Sequence, residues 1–133
     1  MENKTGELSL SLRIPTNAIY VENALLTLEG ICEHCNVCEQ ASQKAKNALE
    51  GVLNDTIEII QKKIHGVFEL GFDVADGVIS ITVNNIYGDG MTLNEEFRKN
   101  IKAVIENKSY VIDEIDFNVT SNGSISYRMQ FRF

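Results

Sequence analysis

The sequence lacks several things, and each absence removes a class of answer. No apolar run approaches the roughly 18 residues that a membrane-spanning helix needs. No basic stretch precedes an apolar one near the start, so no secretory signal is expected. No Pro/Gly-rich linker, repeat or low-complexity tract occurs, and the only proline is Pro15. Basic residues are scarce: 12 Lys and Arg stand against 19 Asp and Glu, and the densest basic run is "QKKIH". The net charge is −7 and the pI about 4.8. Such a field repels a polyanion, so DNA or RNA is not an expected partner. The three cysteines all fall within Cys32–Cys38, which makes no disulfide framework. A reducing cytoplasm is the expected compartment.

What is present suits one domain over residues 1–133. The length matches a single core, and the hydrophobic content of 44% is ordinary for a globular chain. "LSLSLRI" alternates strictly, with Leu8, Leu10, Leu12 and Ile14 on one side and Ser9, Ser11 and Arg13 on the other. That pattern is a half-buried strand, which Pro15 ends. From Asn17 the period changes to that of a helix, with Ala18, Val21, Ala24, Leu25, Leu28 and Ile31 on one face. "CEHCN" should break this helix. Asn36, with Glu39 three residues later, suggests a capping box for the next.

The second helix should run to about Lys63, with Ala41, Ala45, Ala48, Leu49, Val52, Leu53, Thr56, Ile57 and Ile60 as its stripe. "GVFELGFDV" and "VISITVN" alternate around "ADGV", whose Asp-Gly suits a tight type I′ hairpin turn. A third helix is expected over 94–107, with Phe97, Ile101, Val104 and Ile105 inward. "IDFNV" and "SISYRMQFRF" read as a final pair of strands. Every strand has one apolar and one polar face. The fold class that follows is α+β: a two-layer sandwich, with a mixed sheet of about five strands and three helices on one face. Leu10, Leu12, Leu49, Leu53, Ile57, Phe72, Ile81, Val83, Ile115, Phe117, Tyr127 and Met129 should be buried.

These segments in this order resemble a known family. "LRIPTNAIYVENALLTLEG", "NALEGVLNDTIE", "VADGVISITVNNIYGDGM" and "YVIDEIDFNVTSNGSISYRMQF" together look like the GHKL (histidine-kinase-like) ATPase superfamily, in its branch of anti-sigma-factor serine kinases and switch proteins. The second piece is similar to that family's N-box helix. There the family carries a glutamate as general base and, four residues later, an asparagine that helps hold magnesium. Matching the apolar positions puts Gly51 and Asp55 at those sites. A slip of one residue would offer Glu50 and Asn54 instead. It would also turn Leu53 and Ile57 out of the stripe, at about 1.5–3 kcal/mol for each fully exposed side chain.

The resemblance also implies an Asp-x-Gly-x-Gly loop that binds adenine. Here Asn85 stands at the aspartate, and Gly88 and Gly90 come one position late. The family's glycine-rich phosphate lid has no counterpart, since only "MTL" separates Gly90 from the expected third helix. With Gly51 unable to act as a base, three parts of the nucleotide site depart together. The implied protein has a degenerate ATP site, no cofactor and no phosphoryl transfer. It would regulate by binding a protein such as a sigma factor or an antagonist, with a homodimer possible. Relatives grip partners with helices and the pocket rim. That points to the outer side of the first helix, the "IYGDGMT" loop with Tyr87 and Met91, and the start of the third helix.

Two rivals stand beside this. One is a working ATP- and magnesium-dependent serine kinase using Asp55 and Asn85. The other is a metal or redox sensor built on Cys32, Cys35 and Cys38, whose overlapping C-x-x-C spacings enclose His34. A closed zinc site needs four ligands, and a second ligand pair is missing. An ordinary helix connection with small buried thiols therefore competes with it. His65, at a helix-to-strand junction, reads as a surface residue.

Overall fold

The computed structural model describes residues 7–60, 66–87, 99, 103, 114–119 and 125–133. Strand β1 covers Leu8–Pro15, followed by a 3-10 turn at Ala18–Tyr20, helix α1 at Val21–His34 and helix α2 at Glu39–Ile60. Strands β2 (Gly66–Ala75), β3 (Val78–Tyr87), β4 (Glu114–Val119) and β5 (Ile125–Arg132) complete the described elements. They form one sheet in the order β1-β2-β3-β5-β4.

Every neighbouring pair of described strands is antiparallel, so among the described residues the sheet is not mixed. β3 and β4 run in the same direction but are held apart by β5, and this is why no parallel ladder forms. The helix expected over 94–107 lies outside the described residues, except that Lys99 and Ala103 are helical and exposed. Two helices are therefore described in full. They lie over the sheet, α1 against β1 and α2 against β5, and against each other.

The β2–β3 hairpin forms where Asp-Gly demanded it. Asp76 and Gly77 have φ of 52° and 75°, the two positive angles of a type I′ turn. Alternation then carries one apolar face across the sheet. Phe68, Leu70, Phe72 and Val74 of β2 line up with Ile79, Ile81 and Val83 of β3, and these with Tyr127, Met129 and Phe131 of β5; all are buried. The stripes of α1 (Val21, Ala24, Leu25, Leu28, Ile31) and α2 (Ala45, Ala48, Leu49, Val52, Leu53) join them in one core. Thr56, the buried polar residue on α2, donates its hydroxyl to the Val52 carbonyl at 2.7 Å.

The opposite face of the sheet is polar. Arg13 Nη2 lies 2.8 Å from Glu69 Oε2, Ser9 donates to Asp73 at 2.6 Å, and Gln130 donates to Ser80 at 3.2 Å.

Several expected burials are corrected. Leu10 is 40% exposed, although its partner Phe72 is fully buried. β1 is the last strand of the sheet, so an inward-facing residue there has a neighbour on one side only. Leu12 and Ile57 are partly buried and pack against the core. Ala18 is exposed because the chain makes a 3-10 turn there before α1 begins. Phe133, the last apolar residue in the alternation of "SISYRMQFRF", is exposed just past the end of β5. The side chains of Ile115 and Phe117 lie outside the described residues.

The capping box is also corrected. Cys32 lies on the buried stripe of α1, and the helix continues past it to His34. Asn36 has φ of 57° and terminates α1 rather than opening α2. Its N–H donates to the Glu33 carbonyl at 3.3 Å, and the Val37 N–H donates to the Cys32 carbonyl at 2.9 Å. This pair of bonds is a Schellman motif, with a left-handed residue after the helix and an apolar Val37 following it onto the core. α2 opens instead at Cys38, whose carbonyl accepts from the Ser42 N–H at 3.0 Å.

The left-handed angle at Asn36 gives a test. Asn36→Gly should leave stability unchanged or raise it. Asn36→Val should lower it by about 1–2 kcal/mol, the cost of placing a side chain with a branched β-carbon in that region. Urea unfolding of the two variants checks the sign and the gap.

Candidate functional site

The rotation of α2 decides which residues can face a ligand. Leu49, Val52 and Leu53 are fully buried, while Glu50 and Asn54 are exposed. The slip of one residue would need Leu53 outward, and the core forbids that. Gly51 and Asp55 share one flank of α2, each half-buried between stripe and solvent. The i, i+4 spacing stacks them one turn apart. On that flank position 55 carries a carboxylate and position 51 no side chain at all.

The other half of the expected pocket is only partly described. Asn85 continues the register of Ile79, Ile81 and Val83 in β3, opposite Phe68 on β2 and Ile125 on β5. Tyr87 ends β3 opposite Gly66. For both, only the backbone is described. Gly88, Gly90, Met91 and His65 lie outside the described residues. The structure thus brings Gly51 and Asp55 together and leaves their relation to the glycine loop undescribed.

The α1–α2 junction holds features that the sequence did not reveal. Lys46 Nζ on α2 reaches Glu29 Oε2 on α1 at 2.6 Å. A cleft of about 280 Å³ opens on one side of this ion pair, with Cys32, Ser42, Glu33 and Glu39 in its lining. A second, of about 220 Å³, includes Glu22, Leu26 and Glu50 as well as Glu29 and Lys46. Leu26 there is 56% exposed. Neither cleft is lined by Gly51 or Asp55. Their surplus of carboxylates over the single lysine disfavours a phosphate-bearing ligand. Neighbours on each helix could be read from the sequence, but the apposition of Glu29 and Lys46 depends on how the two helices pack.

Cys32 and Cys35 are buried and Cys38 is exposed, all as free thiols. Burial pushes the Cys32 thiol above the ordinary 9.0, and the nearby Cys35 and Glu29 push the same way, against a hydrogen bond with Ser42 and the charge of Lys46. Burial also raises Cys35. Both are therefore protonated at neutral pH, the opposite of an activated nucleophile or a ready metal ligand. Cys32, Cys35, Cys38 and His34 do not converge as a metal-holding group, and no such group occurs among the described residues. No described helix is long and apolar enough to cross a membrane.

Comparison with models of known protein families finds no match, and no curated protein is significantly similar to the chain.

The thiols carry a prediction. A disulfide reagent should modify Cys38 quickly in the folded protein, and Cys32 and Cys35 only on unfolding; absorbance of the released thiol counts them. The raised thiol values also fix the sign of a pH effect. Below 9.0 the two thiols are protonated in both states and their stability contribution is complete. Above it the unfolded chain releases protons that the folded chain retains, so stability falls as pH climbs through the folded values. Lys46, raised above 10.5 first by its hydrogen bond to Glu29, acts in the same direction at higher pH. The melting temperature should hold from neutral pH to about 9 and then decline. A Cys32→Ala/Cys35→Ala variant should flatten the first part of that decline.

Proposed function

We propose that this chain is a regulatory protein-binding domain on a GHKL-like frame whose nucleotide site no longer transfers phosphate. The observation that carries this is the flank of α2, where Gly51 and Asp55 stand one turn apart beside the buried Leu49–Val52–Leu53 stripe. On a frame of this kind a general base belongs at position 51, and glycine offers none. Phosphoryl transfer depends on positioning and on clamping the phosphates with charge. A flank with one carboxylate, followed in the sequence by a misplaced glycine pair and no lid segment, is poorly equipped for it.

The order of elements supports the same frame. A strand leads to a helical pair, then a hairpin, then a crossover to a closing hairpin over one apolar face. A domain kept without chemistry acts by binding. The partner we favour is a protein such as a sigma factor or its antagonist, gripped by the outer side of α1 and by the segment that carries Tyr87 and Met91. Tyr and Met are residue types enriched at interface cores.

The experiment is thermal unfolding with and without Mg-ATP. Ligand at 100 times its Kd would stabilise the fold by about 2.7 kcal/mol, a shift of several degrees for a domain of this size. No shift is expected at millimolar nucleotide. A saturable shift, abolished by Asp55→Ala, would hand the domain to the kinase class. On the binding side, Tyr87→Ala should weaken capture of a sigma factor or antagonist while leaving the melting temperature nearly unchanged.

A further inference from the structure

The outer side of α1 departs from the pattern of a solvated helix. Its buried stripe includes Val21, Ala24, Leu25, Leu28 and Ile31, so the side turned away should be polar. Two large apolar residues break that rule. Ile19, in the 3-10 turn that leads into α1, is 71% exposed, and Leu26 is 56% exposed. Leu26 follows Ile19 by one heptad and Glu33 follows Leu26 by another, so the three line up along one side over about 20 Å. Gly30 lies on that side too, one turn after Leu26, and is exposed. A glycine within a helix lowers its stability relative to alanine. Packing inside the chain gives no reason for it, since among the described residues a Cβ at Gly30 would meet nothing within 4 Å. What the missing side chain does permit is close approach of another backbone from outside.

The charge around this stripe is almost all of one sign. Glu22, Glu29 and Glu33 stand beside it on α1, and Glu39 and Glu50 of α2 line the two clefts between the helices. Among the described residues Lys46 is the one cation in either lining, and Glu29 already holds it at 2.6 Å. An apolar stripe walled by carboxylates is complementary to a surface with apolar residues in the middle and cations on its flanks. A second copy of α1 would set carboxylates against carboxylates, and a nucleic acid or an anionic membrane would be repelled. The heptad spacing of Ile19 and Leu26 selects a helix, whose own apolar residues recur with that period when two helices cross at a shallow angle.

We propose, on the reading of the chain as a protein-binding domain, that the groove along α1 and α2 receives a basic amphipathic helix of a protein partner. Its apolar residues lie on Ile19 and Leu26, its backbone comes close against Gly30, and its Lys or Arg side chains meet Glu22, Glu33 and Glu50.

The test is fluorescence anisotropy with a labelled synthetic helix of about 18 residues, with leucine at the a and d heptad positions and lysine on both flanks. It should bind saturably, and more weakly as salt is added. Two control peptides should bind about tenfold more weakly: one has the same composition with its leucines spread around the helix, the other has glutamate in place of lysine. Leu26→Glu separates the apolar and electrostatic contributions, because it removes the apolar anchor and adds a carboxylate. An anchored site then binds about fivefold more weakly, and a merely electrostatic one more tightly. Gly30→Gln should raise the melting temperature, since glutamine is the better helix former, and yet weaken binding. Loss of binding in a firmer fold cannot come from unfolding. Glu22→Gln/Glu33→Gln should weaken binding more than Glu7→Gln/Glu58→Gln, which changes the net charge equally at exposed positions outside the groove. Equal binding of all three peptides, tighter binding by Leu26→Glu or equal effects of the two charge pairs overturns the proposal, as does no binding of the first peptide. Binding that ignores every groove variant but falls with Tyr87→Ala overturns the groove and keeps the wider protein-binding reading. A saturable Mg-ATP shift with groove binding intact overturns only the loss of the nucleotide site.

Discussion

The rotation of α2 about its own axis is the constraint on which the rest of the molecule depends. Leu49, Val52 and Leu53 have no exposed surface, and Ala45 and Ala48 lie in the same seam. Turning the helix by one residue would expose at least one large apolar side chain, at about 1.5–3 kcal/mol. With that rotation fixed, the other faces follow. Glu50 and Asn54 go to solvent, Gly51 and Asp55 take one flank, Lys46 meets Glu29, and Ser42 meets Cys32. The core thereby decides which residue types stand on each face of α2.

Much of this was legible in the sequence because two periods are hard to confuse. Strict alternation marked β1, β2, β3 and β5, and the Asp76-Gly77 pair marked the turn between two of them. The failures have physical causes. Alternation tells which side of a strand is inward but not which strand lies at the edge, so Leu10 was expected to be buried and is not. Asparagine suits both a helix start and the left-handed residue after a helix end, so the sequence around Asn36 reads as either. The local sequence, with Glu39 three residues on, satisfied the first pattern by chance. Only the bonds from Asn36 and Val37 back into α1 separate the two cases. The sheet was expected to be mixed because the order of elements does not say that β5 inserts between β3 and β4.

The site was less legible than the fold. Gly51 and Asp55 are singled out by matching apolar positions to the family the chain resembles; the structure shows that both lie half-buried beside the stripe of Leu49, Val52 and Leu53. The cleft at Cys32, Ser42 and Lys46 was not foreseen, since Glu29 and Lys46 lie on different helices. The cysteine motif shows the limit of spacing as evidence. Cys32 and Cys35 are close in sequence and both buried, yet burial holds them protonated, and Cys38 sits in solvent at the start of the next helix. A C-x-x-C spacing fixes neither exposure nor protonation, and those two properties decide what a thiol can do.

The division between core and flank also bears on how a catalytic frame could lose its chemistry without losing its fold. A glycine in the middle of a helix costs about 0.5–1 kcal/mol relative to alanine. The burial of Leu49, Val52 and Leu53 around it contributes about 1.5–3 kcal/mol for each side chain, so the helix tolerates Gly51 with stability to spare. Neither Gly51 nor Asp55 is itself part of the core. The glycine at position 51 therefore takes nothing from that stripe. The α1–α2 junction is coupled differently. Cys32 is part of the core and of the cleft at once, so a change there alters packing together with any binding. Of the two places, the flank of α2 is the one where function could drift while the structure stayed the same.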